Sequence, residues 1–182
     1  MGFATESQVT AALARQWCCP VLLSGTAGTG VSHVPAIPLL LLESFQMVPV
    51  ELVEATGTLL IAFSEGIDYT ILYAIEQMLG YRTEACLMYP STLQKRLQAQ
   101  APHRGSSDII FERTDDPAEC ARIIGNYCAK LGAAEVRVAR CGEHLWIRLE
   151  RRRQPAVNLV LRAPSDAVAD LRDFPSEVHP SV

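Results

Sequence analysis

Basic residues are not in excess in this chain. Sixteen Lys and Arg stand against 20 Asp and Glu, for a net charge of -4. A nucleic-acid-binding domain shows a basic patch or stripe, so the balance argues against a general nucleic-acid binder. Long apolar runs are also missing. The longest, Val34 to Leu42, has nine residues and is interrupted by prolines, whereas a membrane-spanning helix needs about 20. No transmembrane segment is expected. Met1 to Ala14 lacks a basic stretch followed by an apolar core, so no secretory signal is expected and the cytoplasm is the expected compartment. None of the six cysteines (Cys18, Cys19, Cys86, Cys120, Cys128, Cys141) forms a CxxC pair. Zinc sites bring ligands in closely spaced pairs, so the thiols read as small buried hydrophobes in a reducing compartment. The four histidines, His33, His103, His144 and His179, build no Ser-His-Asp arrangement. No catalytic, cofactor-binding or metal-binding residue is assigned.

What remains is a globular composition. The chain has 182 residues, 49% of them hydrophobic and 20% charged. At this length about 70% of the unfolded surface can be buried without a disulfide or metal. Charge is unevenly spread. Residues 1–100 carry four basic and eight acidic residues, while residues 101–182 carry twelve of each. The contrast implies two modules. Ala101 to Ser107, with Pro102, Gly105 and two serines, is the expected linker. The expected domains are residues 1–100, a smaller one at 107–162 and a flexible tail at 163–182.

Patterning supplies the elements. Thr5 or Ser7 caps a helix to about Trp17, stopped before Pro20, and Val21 to Leu23 reads as a short strand. Ser24 to Ser32 is a loop. Pro38 opens a short helix through Phe45. Met47–Val53 and Thr58–Ser64 read as a hairpin across Glu54–Gly57. Asp68 is a good N-cap for a helix over Tyr69–Leu79, with Gly80 after its end. Tyr81 to Met88 alternates as a strand, and Ser91 with Gln94 reads as a capping box for a helix to Gln100. Strand, helix and strand over 58–88 form a βαβ unit with parallel strands. In the second module a strand over 108–112 precedes a helix over 117–131. Asp116, Pro117 and Glu119 give its start and Gly132 its end. Strands at 134–140 and 143–150 meet across Cys141-Gly142, and a third covers 156–162. The expected class is α/β (α+β): a small mixed sheet with packed helices and a βαβ unit, then a smaller α+β module.

Three constellations carry chemistry in other proteins. Gly25 to Ser32 nearly matches a phosphate-binding loop, but Val31 stands where the lysine reaches the phosphates. Pro35 and Pro38 also prevent a helix from running straight out of it. It reads as a flexible loop. Leu39–Leu42 reads as core. Arg151, Arg152 and Arg153 form the sharpest charge cluster, expected to be exposed at a strand end. They are the candidate partner-binding residues, for an acidic partner or an anionic surface. Polar residues fit for catalysis are almost absent from Pro35 to Leu97, which points to a docking module rather than an enzyme.

The first hundred residues resemble a family. TESQVTAALARQWCCPVL is similar to the helix-then-strand opening of the N-terminal domain of type II secretion and type IV pilus assembly ATPases. IPLLLLESFQMVPVEL resembles that domain's "iP…y…vPv" segment. The stretch from Thr58 to Leu97 resembles its closing strand-helix-strand-helix. Further on, CARIIGNYCAKLGAAEVRVARCGEHLWIRLER resembles the next domain in degenerate form. Gly132, Ala133 and Val136 fit the "GASDIHIEp" strand. Ala134, Glu135 and Arg137 replace its serine, aspartate and histidine, and Arg152-Arg153 stands where Asp-Gly would be. The ATPase core with its lysine, acidic boxes and zinc cysteines does not follow, so ATP chemistry is not carried over. The resemblance implies non-catalytic protein-protein docking, with a secretion or pilus platform component or an ATPase as partner. It also allows peripheral membrane association through that partner. Some relatives bind cyclic di-GMP. Only Ala12-Leu13-Ala14-Arg15-Gln16 survives of that two-part motif, which makes a second-messenger sensor the alternative. No cofactor is expected.

Overall fold

The computed structural model describes residues 4–22, 36–100, 108–113 and 116–162. The expected linker at 101–107, the loop at 24–32, the tail at 163–182, and His33, His103 and His179 lie outside them. The architecture is mixed α/β, with two compact units, Met1–Asp108 and Ile109–Val182. Among the described residues no helix is long and apolar enough to cross a membrane.

The first unit opens with α1 (Glu6–Trp17). The N–H of Gln8 donates to Thr5 Oγ1 at 3.3 Å, and the N–H of Thr5 donates to Gln8 Oε1 at 2.9 Å. This reciprocal pair satisfies two donors at the helix start. Cys18 ends the helix in the left-handed region, at φ 50. Of the expected strand Val21–Leu23, only Val21 bridges another strand, and Leu23 lies outside the described residues.

Helix α2 (Leu39–Ser44) follows Pro38, and it buries Leu39, Leu41 and Leu42. Three strands then form one sheet in the order β1 (Met47–Val53), β2 (Thr58–Phe63), β3 (Arg82–Leu87). β1 and β2 are antiparallel, joined by a turn in which Gly57 takes φ 65. A glycine adopts that conformation without the Cβ clash. Pro49 sits on the edge strand beside a bulge, where its missing N–H breaks no central ladder. β2 and β3 are parallel and in unbroken register from Thr58↔Arg82 to Phe63↔Leu87.

The crossover between them is α3 (Tyr69–Leu79). Asp68 Oδ1 accepts from the N–H of Thr70 at 2.8 Å and of Ile71 at 3.3 Å. Gly80 closes the helix at φ 75. Ile71, Ala74, Ile75 and Met78 are buried, as are Leu59, Ile61 and Phe63 of β2.

The start of α4 (Pro90–Gln100) corrects the sequence reading. Ser91 is not its cap. Pro90 takes the first helical position, where a missing N–H costs nothing, and Ser91 falls inside the first turn. Its N–H and hydroxyl donate instead to the Glu6 carboxylate of α1, at 2.7 and 3.0 Å. Gln94 turns to Gln46, with Nε2 donating at 2.9 Å. The anion at this helix start therefore comes from 85 residues away in the chain.

The second unit is a four-stranded sheet in the order β4 (Asp108–Arg113), β7 (Gln154–Arg162), β6 (His144–Arg151), β5 (Ala133–Cys141). Helix α5 (Pro117–Leu131) starts at Asp116, whose Oδ1 accepts from the Ala118 N–H at 2.9 Å, with Pro117 at the first helical position. Glu119, expected to complete a box, lies 3.5 Å from Arg122 instead. The helix packs Cys120 with Leu145, Ile147, Leu149, Val157, Leu159 and Leu161. Phe111 and Tyr127 meet edge-to-face at 5.8 Å. The opposite side-chain row holds Trp146, whose indole N–H donates to Asn158 Oδ1 at 3.1 Å, both buried. That bond supplies the partner a buried indole needs. The β5–β6 turn is Gly142-Glu143, one residue later than expected, and β7 begins two residues earlier, at Gln154.

Replacing Asp68 by Ala removes the acceptor for two helix-start N–H groups. The protein should lose about 0.5–2 kcal/mol of stability, measured by denaturant unfolding. An unchanged midpoint would mean that the cap does not hold the crossover.

Candidate functional site

The first unit carries an open groove of about 480 Å³ between the end of α1, the outer face of α3 and β3. Its rim is aromatic. Tyr69 and Tyr73 lie one helical turn apart on α3, so their side chains share a face. They are 61% and 62% exposed. The Trp17 ring lies 6.2 Å from that of Tyr69, inclined at 51°, and rests over Gly66. Residues 71, 74, 75 and 78 take the buried side of α3, which leaves 69 and 73 facing outward.

The floor of the groove is β3. Glu76 reaches down from α3, and its Oε1 accepts from the Thr83 N–H at 2.7 Å and the Thr83 hydroxyl at 3.0 Å. Further along, the Leu87 N–H donates to the Pro20 carbonyl at 2.9 Å, and the Leu87 carbonyl accepts from Leu22 at 2.7 Å. Ala85 lies between these two anchor points. The lining holds Glu76 and Glu84 and, among the described residues, no Lys, Arg or His.

Cys18 and Cys19 stand at the end of α1 beside the groove. All six cysteines are free. Burial pushes the Cys86 thiol up to about 12, with Cys19 adding to the rise and Arg96 opposing it. Cys19, Cys120 and Cys128 are also raised, in each case chiefly by burial. Raised thiols are poor nucleophiles at neutral pH. Among the described residues no group of three or more His, Cys, Asp or Glu is placed to hold a metal.

The arginine cluster belongs to the second unit and is not three free cations. Arg151 is half-buried, and its Nε and Nη2 donate to the Pro155 carbonyl at 2.9 and 2.6 Å. It closes the hairpin whose two-residue tip is Arg152-Arg153, with Arg153 at φ 58. Arg152 and Arg153 are exposed. The expected row of three exposed guanidiniums is therefore two. Near the other end of the same sheet His144 is half-buried, and its Nδ1 has no hydrogen-bond partner among the described residues. Burial lowers its pKa, Arg162 lowers it further, and Glu143 and the Cys141 backbone oppose the shift. The Ala12–Gln16 segment lies on α1, where Arg15 donates through Nε to the Ala11 carbonyl at 3.2 Å.

Sequence patterning gives none of the groove residues a binding role. The signal was present in Tyr69 and Tyr73, two aromatics at helical spacing on the face that the apolar stripe does not use.

No family model matches the chain, and no curated protein matches it. Two crystal structures of the N-terminal domain of XpsE, a type II secretion ATPase, are similar to it. Identity is 18% and 17%, with TM-scores of 0.41 and 0.45. The matches cover 52% and 53% of this chain and 66% and 67% of those chains. This chain thus spans about two thirds of each. A likeness at this level says nothing of function, because one fold carries many functions.

Native protein treated with iodoacetamide near pH 8 should be alkylated first at the exposed Cys18. Cys86 should remain unmodified until unfolding. Peptide mass mapping reads the order, and early labelling of Cys86 would contradict its burial. His144 gives a pH dependence. Its folded pKa is depressed below the ordinary value of about 6.5, so the unfolded chain takes up the proton first and stability falls on acidification below that value. The drop in melting temperature from pH 7.5 to pH 5.0 should be smaller in His144→Gln; an equal drop would remove His144 as a cause.

Proposed function

We propose that this chain is a non-catalytic docking module that binds a protein partner through the groove of its first unit. One observation carries the reading. Tyr69 and Tyr73 stand more than half exposed beside Trp17, over a groove that holds Glu76 and Glu84 and no basic side chain in its described lining. Tyr and Trp dominate the energetics of protein interfaces because they bury large area with few rotatable bonds. An outward helix face normally carries charge, so two tyrosines there are a cost in solubility that a bound partner removes. The sequence resemblance to the N-terminal domain of secretion ATPases agrees with this reading, and makes a platform component or an ATPase of such a machine the first partner to try.

Placing the photoreactive residue benzoylphenylalanine at position 73 tests the reading in cells. A single cross-linked adduct of defined mass is expected. Tyr69→Ser combined with Tyr73→Ser should reduce partner capture at least tenfold, about 1.4 kcal/mol. Both rings are mostly exposed, so the melting temperature should fall only by the few degrees that loss of the Trp17–Tyr69 contact costs. Undiminished capture by the double variant would refute the groove as the docking surface.

A further inference from the structure

We infer that the groove accepts an extended segment that adds as a short strand to the edge of β3, and that this segment carries a Lys or Arg side chain. The inference rests on the docking reading above and specifies how the partner binds.

The backbone pattern of β3 sets the first half of the inference. Arg82 donates its N–H to Gly57 at 3.0 Å, and Met88 donates to Phe63 at 2.8 Å, both toward the β2 side. Side of bonding alternates along a strand, so Thr83, Ala85 and Leu87 turn their N–H and C=O groups away from β2. Leu87 spends both of its groups on Pro20 and Leu22, and Thr83 gives its N–H to Glu76. Ala85 turns both of its groups toward the groove, and among the described residues neither has a hydrogen-bond partner. The Thr83 carbonyl points the same way. Three backbone groups in a row, two acceptors around one donor, match an incoming extended strand. Pro20 and Glu76 bound the open stretch, so the addition is short and needs side-chain anchors. Trp17, Tyr69 and Tyr73 stand above it and provide them.

Charge sets the second half. The groove carries Glu76 and Glu84, with no basic side chain among the described lining residues. Residues 1–100 hold four basic against eight acidic residues. A guanidinium or ammonium entering here meets carboxylate and the faces of aromatic rings together, both of which attract it. The chain's own segment 163–182 has the wrong sign, with Asp166, Asp170, Asp173 and Glu177 against Arg172. A second copy pairing edge to edge would set acidic groove against acidic groove. An extended basic segment of another protein is the occupant that fits.

The test uses the full chain, immobilised, and a positional-scanning library of eight-residue peptides. Pools with Arg or Lys fixed at one position should bind at least tenfold more strongly than pools with Asp or Glu there. The best peptide should shift the Ala85 amide resonance and slow its hydrogen exchange at least tenfold. N-methylating that peptide one residue at a time should abolish binding at alternate positions. Glu84→Lys should reverse the charge preference, and Ala85→Pro should abolish binding; if that variant does not fold, the N-methyl series decides. Equal binding of acidic pools, no binding pool, an unchanged Ala85 amide, or indifference to every N-methyl group would overturn the inference. The position-73 cross-link separates the two readings. An adduct without an Ala85 effect leaves docking standing and strand addition refuted, while loss of the adduct removes docking itself.

Discussion

The parallel pairing of β2 with β3 is the constraint on which the first unit depends. A parallel pair cannot be closed by a tight turn and needs a crossover, so α3 must exist between Phe63 and Arg82 and must lie on one face of the sheet. Asp68 and Gly80 mark its two ends. With β1 already on the far side of β2, β3 is left at the edge. Among the described residues, backbone covers that edge only at Leu87, where Pro20 and Leu22 bracket a single residue. The end of α1 is thereby tied beside β3, and the space between helix end, crossover helix and strand edge becomes the groove. Its position follows from topology, with no residue dedicated to hollowing it out.

The exposed rings fit this geometry. Scattered apolar residues on a surface are normal and need no explanation. Here Trp17 comes from α1 while Tyr69 and Tyr73 come from α3, and the three converge on one rim. The Trp17–Tyr69 contact at 6.2 Å has the spacing of a ring pair that contributes on the order of 0.5–1.5 kcal/mol beyond its buried area. It leaves Tyr73 and the outer faces of the rings uncovered. Glu76, a turn beyond Tyr73, by contrast turns one carboxylate oxygen onto Thr83.

Local signals made most of the fold legible. Asp68, Asp116, Gly57, Gly80 and Gly132 are each a cap or turn residue in the position where its chemistry is needed, and the βαβ unit follows from period and punctuation. Local patterning fails where a tertiary partner or a turn conformation redirects a side chain. Ser91 looks like a cap because its sequence neighbourhood says so, but the Glu6 carboxylate that occupies its donors is invisible to any window of the chain. Arg151 looks like a surface charge until the hairpin bends Pro155 back to it. The groove was not legible for the same reason, since its rim joins residue 17 to residues 69 and 73. The outward tyrosines were readable as an anomaly of α3, though nothing local says what they face.

The edges of the two sheets show why β3 differs from its counterparts. Exposed strand edges invite unwanted pairing, and proteins blunt them with proline, bulges and charge. β1 uses Pro49, a bulge before Glu51, and the Glu51 side chain itself. β5 carries Glu135, Arg137 and Arg140 and is also bulged near its start. β3 has no bulge along its whole register with β2 and no proline. Among the described residues its protection is a single carboxylate on the Thr83 N–H, the Arg82 and Glu84 side chains, and the tie at Leu87. Among the described residues these leave the Ala85 backbone groups uncovered, the short stretch on which the proposed strand addition rests. The guard is therefore electrostatic and selective. On the proposed docking reading, such an edge disfavours an acidic strand and admits a basic one.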